Sequence, residues 1–272
     1  MEGKKRTYDT FSKKLTTTTI TFGDVAENHA GMEKIGKLHD RGYSLETLHK
    51  VQERLEAEGV KCELVPLHNH WEGNEAEVVE AYILVIRQGV QHILQTSDAK
   101  ALMIESDGLA VDKHALMRGR VVNKIARWNL CFADRDQEPD YEIGKGRIVA
   151  FKHLPLLSTI RAKISELTDD QLLNGEANYY YDVSKCGIGY HGDGERKKVF
   201  AVRMGASLPI YYQWYHYTQP VGSRIEISLH DGDMYMMSEK AVGFDWLNKR
   251  IPTLRHATGC NKYTVIKPKS LS

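Results

Sequence analysis

The chain has 272 residues, enough to bury a sizeable core, and its 37 basic against 36 acidic side chains leave a formal charge of +1. That balance supplies no global field to gather nucleic acid or a membrane surface. Cys62, Cys131, Cys186 and Cys260 have no C-x-x-C spacing, and neither a signal-peptide core nor a run of about eighteen apolar residues occurs, so a soluble intracellular protein of the cytoplasm or nucleus, with free thiols and no membrane partner, is expected.

In chain order, residues 1–16 are polar and charged and read as a flexible N-terminus. Thr17 to Phe22 are rich in β-branched residues and predict a strand. Ser44 predicts a helix N-cap, followed by the stripe Leu45, Leu48, Val51 and Leu55 and a stop at Gly59. Val60 to Leu67 and Glu80 to Arg87 are short strand candidates on either side of an acidic segment. This alternation predicts a small α/β domain over residues 17–105. From Arg120 onward short strands with glycine turns dominate, apart from a helical stretch near Pro155 to Leu173. Such a pattern predicts a mainly β domain over 106–272, a double-stranded β-helix of the jelly-roll, cupin-like type.

The chemistry concentrates between Ile188 and Asn261. His191-Gly192-Asp193 places two ligand types on one face of a strand or its end, and His256 follows within Arg255-His256-Ala257-Thr258-Gly259. Two histidines and a carboxylate form a facial set for Fe(II) that leaves the opposite face of an octahedron open. The metal and catalytic candidates are therefore His191, Asp193 and His256. Other signals are blander: His68-Asn69-His70 lacks a third ligand, Gly144-Lys145-Gly146-Arg147 has no Gly-Lys-Ser/Thr, and the tyrosines from Tyr211 to Tyr217 read as strand packing. Arg118, Arg120, Lys124 and Arg127 read as a solvated basic face, with contact to a polyanion beside Trp128 as the functional alternative.

The run Tyr179-Tyr180-Tyr181 through Cys186-Gly187-Ile188-Gly189-Tyr190-His191-Gly192-Asp193-Gly194-Glu195-Arg196 resembles the core signature of the AlkB-like 2-oxoglutarate/Fe(II) dioxygenases. The likeness continues through Val202–Ser207 and Ile227–Met237, covering about residues 118 to 267. It implies Fe(II) and 2-oxoglutarate as cofactors and dioxygen as co-substrate. It also implies oxidation of a C–H group, with a nucleobase among the substrates and nucleic acid among the partners. Carried over by position, Tyr181 matches a tyrosine that touches 2-oxoglutarate. Lys262 falls on the arginine that pairs its distal carboxylate, on a strand running from Lys262 to Lys269. Lysine supplies the charge without the bidentate fork. Pro268 occupies the second arginine position, which leaves Lys267, Lys269 or Arg203 to take over that role. The Ala-Thr-Gly turn also looks like that of prolyl-hydroxylase-type oxygenases, so a protein side chain or small molecule remains an alternative substrate. A non-catalytic jelly-roll binding module is the alternative from another class.

Overall fold

A computed structural model describes residues 15–266. Strand β1 (Thr17–Gly23) alternates Thr17, Thr19 and Thr21 with Ile20 and Phe22, so one face is hydroxylated and the other apolar. A hairpin of β2 (Val25–Glu27) and β3 (Lys34–Gly36) follows. Helix α1 (Leu45–Ala57) begins where the cap is expected: Ser44 Oγ accepts the Thr47 amide at 3.2 Å, and Leu48, Val51 and Leu55 are its buried stripe. Replacing Ser44 by alanine should cost about 1 kcal/mol. Calorimetry would register this as a lower thermal midpoint; an unchanged midpoint would count against the cap.

Next come β4 (Cys62–Pro66), β5 (Tyr82–Ile86), α2 (Gly89–Leu94) and α3 (Lys100–Asp107). The hairpin of β6 (His114–Met117) and β7 (Arg120–Asn123) leads into β8 (Trp128–Ala133) and β9 (Ile148–Ala150). Helix α4 (Pro155–Thr168) starts on proline and ends before Leu173, because Asp169 turns left-handed at φ 51°. Then follow β10 (Asn174–Tyr180), β11 (Gly187–His191), β12 (Val199–Gly205), β13 (Ile210–His216), β14 (Gln219–Ile227) and β15 (Met234–Met237). The last elements are α5 (Glu239–Val242), β16 (Thr253–Gly259) and α6 (Asn261–Thr264). The fold is mainly β with a few helices.

Two sheets organise the chain. The larger has the order β4-β5-β15-β12-β1-β10-β8-β9 and the smaller β11-β16-β13-β14. One face of the large sheet, with Ile20, Phe22, Phe200, Val202, Leu84 and Met236, packs on Leu48, Val51 and Leu55 of α1 and on Leu157, Ile160 and Ile164 of α4. Part of its other face, including Val199, Ala201 and Tyr235, packs with Ile210, Tyr212, Trp214 and Leu254 of the small sheet. Burial of these side chains at about 25 cal/mol per Å² drives the two sheets together. The same inward face also carries Thr19, Thr21, Glu176, Asn178 and Arg203, and there a cavity remains open.

Two expectations change. The division at residue 105 is not a division of the fold, because β1, β4 and β5 belong to the large sheet. Strand β1 lies between β10 and β12, antiparallel to both, with Thr19 opposite Asn178 on one side and Arg203 on the other. Among the described residues no strand runs onward from Lys262: residues 261–264 are a helical turn, and β1 is the neighbour that β10 and β12 share. Residues 1–14 of the expected flexible N-terminus, and Lys267, Pro268 and Lys269, lie outside the described residues.

Candidate metal centre

Strands β11 and β16 are neighbours in the small sheet, and His191 and His256 are cross-strand partners. The register shifts between Ile188 and His191, a bulge that re-aims the end of β11. Asp193 follows in a tight turn, its amide donating to Val242 O at 3.0 Å. The residue between the two ligands has to be glycine, since a Cβ on Gly192 would lie 2.1 Å from Gly243 O. Asp193 Oδ1 sits 3.4 Å from His191 Nε2 and 3.3 Å from His256 Nε2, and one ligand atom from each of the three residues falls within 4.8 Å of the others. Adjacent ligands at about 2.0–2.2 Å from one ion are roughly 3 Å apart, so the set needs little adjustment to close on a metal.

Protonation favours the same reading. His191 Nδ1 faces two carbonyls, Gly189 O at 2.8 Å and His256 O at 3.0 Å, and can satisfy them only as a donor. In the neutral ring this leaves the Nε2 lone pair directed at Asp193 and free for a metal. Burial alone would raise the Asp193 carboxyl, but His256, His191 and Arg196 outweigh it and hold the group well below the usual carboxylate range. Burial, aided by the charge of His191, pushes His256 down towards its neutral form. Asp193 is thus held in the ionised state that coordinates a metal. Behind Asp193, the buried Arg196 lies 3.5 Å from Oδ2, bonds Glu195 at 2.7 Å and pairs with Glu176.

The three residues line a cavity of 620 Å³ between the sheets. Arg203 enters it from β12 and is only 1% exposed, and among the described residues its Nε and Nη1 have no hydrogen-bond partner; Thr19 Oγ1 is likewise unpartnered there. Burial lowers the Arg203 pKa, yet so strong a base stays charged. A buried guanidinium without an acceptor is costly, and an anionic ligand would offset that cost. Tyr180 and Tyr235 line the same region.

Of the residues expected to bind the co-substrate, only Arg203 is placed here. Tyr181 points away: it stacks on Trp128 at 4.4 Å, and its hydroxyl donates to Ile125 O at 2.7 Å. Strand alternation puts Tyr180 on the inward face instead. Lys262 is exposed on α6 and does not line the cavity, and Lys267 falls outside the described residues. Sequence reasoning missed Tyr180, Tyr235, Thr19 and Glu27. The parity of the three tyrosines was the only local signal available for any of them.

The basic cluster divides. Arg118 and Arg120 are exposed on the β6–β7 hairpin, whereas Arg127 lines the cavity. Lys124 donates to Asn28 O at 3.0 Å, to Asn28 Oδ1 and to Asn129 Oδ1 at 2.9 Å, and burial pushes its pKa down to about 8. The unfolded ammonium titrates near 10.4, so between about pH 8 and 10 the unfolded chain binds more protons and this residue makes stability rise with pH. Lys124→Met should remove about 2 kcal/mol of that rise. Urea unfolding of both proteins across that window measures it, and identical pH slopes would refute it.

No family model matches the chain. It is similar to uncharacterized protein R156 of Acanthamoeba polyphaga mimivirus, 50% identical over 248 residues, which is 91% of this chain and 97% of the viral protein. The chain belongs to the family of that viral protein. Membership fixes common descent and fold, and the chemistry rests on the side chains. Among the described residues, no helix is long and apolar enough to cross a membrane.

Proposed function

We propose that the chain is an Fe(II)/2-oxoglutarate-dependent dioxygenase of the AlkB-like kind, built on a double-stranded β-helix, and that it hydroxylates or oxidatively demethylates a C–H group. The observation that carries this reading is the convergence of His191, Asp193 and His256 in one cavity with Arg203, whose Nε and Nη1 have no partner among the described residues. Two facing sheets, with β11-β16-β13-β14 on one side and β15-β12-β1-β10 on the other, support the jelly-roll assignment. The donor set fits Fe(II), since imidazole and carboxylate together suit it and three ligands leave positions open.

In this reading His191 Nε2, His256 Nε2 and an Asp193 oxygen hold the metal. Bound Fe(II) supplies the coupling of dioxygen reduction to decarboxylation of 2-oxoglutarate and oxidation of the substrate. Arg203 would receive the distal carboxylate, and Thr19 lines the same cavity. The apolar Ile188, Ile210 and Ala257 line the same cavity and limit the water admitted. Leu247, which is 71% exposed, marks the rim. Lys262 is exposed on α6 and Lys267 lies outside the described residues, so a prolyl-type or small-molecule substrate stays the alternative that the substrate panel separates. The intact ligand set counts against a purely non-catalytic binding module. The test is formation of succinate from 2-oxoglutarate by the purified chain under air. Succinate that depends on added Fe(II) is the expected result, and its absence over a panel of methylated oligonucleotides, peptides and metabolites would sink the reading.

A further inference from the structure

A second cavity, of 490 Å³, opens where the chain entering α1 and β5 meets α5 and the residues after it, and it shares no lining residue with the metal centre. Its volume falls in the range of about 300–1,000 Å³ typical of ligand pockets. Tyr43, Tyr82 and Phe244 supply an aromatic lining, and Val79 and Ile251, 55% and 37% exposed, bring large aliphatic side chains to its rim. Apolar groups left in water around a cavity are stabilised when a partner covers them.

The rim is acidic although the chain as a whole is nearly neutral. Glu77, Glu80, Glu239 and Asp245 line the cavity against Arg41 and Lys240. Lys240 is already committed, to Asp245 Oδ2 and to Pro252 O, both at 2.6 Å. Residues 71–81 contain four glutamates and no lysine or arginine. Asp245 Oδ1 is buried and has no hydrogen-bond partner among the described residues, which suits an incoming N–H donor. The backbone points to the form of the ligand. Val78 leaves the acidic segment in extended conformation, φ −76° and ψ 140°, and between it and β5 the N–H and C=O groups of Val79 and Glu80 make no hydrogen bond among the described residues. Free backbone groups of this kind beside an apolar cavity can pair with an added strand.

We infer that this cavity docks an extended, basic peptide segment of a partner protein, in which an apolar side chain is flanked by lysine or arginine. The apolar group enters among Tyr82, Phe244 and Ile251, and the flanking cations meet Glu77, Glu80 and Glu239. Phe244 and Asp245 line this cavity while Trp246 and Leu247, next in the chain, line the metal centre, so an occupant bears on a loop that both cavities share. None of this rests on the oxygenase reading.

The probes are blocked hexapeptides with two lysines on each side of two apolar residues, drawn from leucine, isoleucine, phenylalanine, tyrosine and tryptophan, titrated calorimetrically into the full chain. At least one should bind, and Glu77→Gln combined with Glu80→Gln should weaken it about 5- to 20-fold, the loss of two exposed ion pairs. Val79→Ser should weaken it at least about fivefold. All three substituted side chains are exposed, so the fold is retained. High salt should weaken binding to the unsubstituted protein more than to the double variant. Glu53→Gln, at another exposed glutamate on α1, and His191→Ala, in the other cavity, should leave the affinity unchanged. Absence of binding by every peptide, equal affinity for the unsubstituted protein and the cavity variants, or an equal loss in either control would overturn the inference. Phenethylamine binding as tightly as the best peptide would overturn it too, and would make the cavity a small-ligand site.

Discussion

Replacing His191 or Asp193 by alanine should lower Fe(II)-dependent succinate formation by more than about a hundredfold while leaving both sheets folded. The expected separation of activity from stability follows from position. His191 is half-buried at the end of β11, and its loss opens space towards the cavity rather than within the apolar core. Asp193→Ala removes one of the groups near Arg196, which keeps Glu176 and Glu195 as partners. Circular dichroism and the urea midpoint report the fold, and succinate reports the site. Turnover retained in both variants would show that the metal, if one is used, is held elsewhere. Unfolding of both would make the cluster a structural charge network.

Arg203→Met should weaken 2-oxoglutarate binding at least a hundredfold, because a buried charge-assisted pair typically contributes about 3–5 kcal/mol when one partner is removed. The ligand-free protein should be as stable as before or more so, since the substitution removes a buried guanidinium whose Nε and Nη1 have no acceptor. Opposite signs on ligand affinity and ligand-free stability distinguish an anion-binding residue from a structural one. Lys262→Ala should change neither quantity, being exposed on α6. A hundredfold loss in Lys262→Ala with none in Arg203→Met would restore the anchor expected on the strand after His256.

These expectations also show what the sequence could carry. The ligand set was legible because H-x-D is a local period-2 pattern and His256 lies in a short motif of its own. Helix α1 was legible through Ser44 and the stripe from Leu48 to Leu55. The anchor was not, because it depends on which strand adjoins β10 and β12, and pairing of β1 across more than 150 residues with Asn174–Tyr180 leaves no local trace. Residues 261–264 open a segment of strand-like composition but form a helical turn. Tyr180 and Tyr181 illustrate the limit at its smallest: strand alternation guarantees that neighbours face opposite ways, but only the register decides which one meets the cavity. Glu27 lies far in sequence from every ligand and is brought to the site only by the hairpin beside β1.

If one cavity holds Fe(II) through His191, Asp193 and His256 and 2-oxoglutarate through Arg203, anaerobic equilibrium dialysis of labelled 2-oxoglutarate, with and without one equivalent of Fe(II), should find one molecule bound per chain, tighter when Fe(II) is present. The Fe(II) effect should be lost in His191→Ala and binding itself in Arg203→Met. Binding indifferent to Fe(II) and to both substitutions, or no binding at all, would contradict that arrangement.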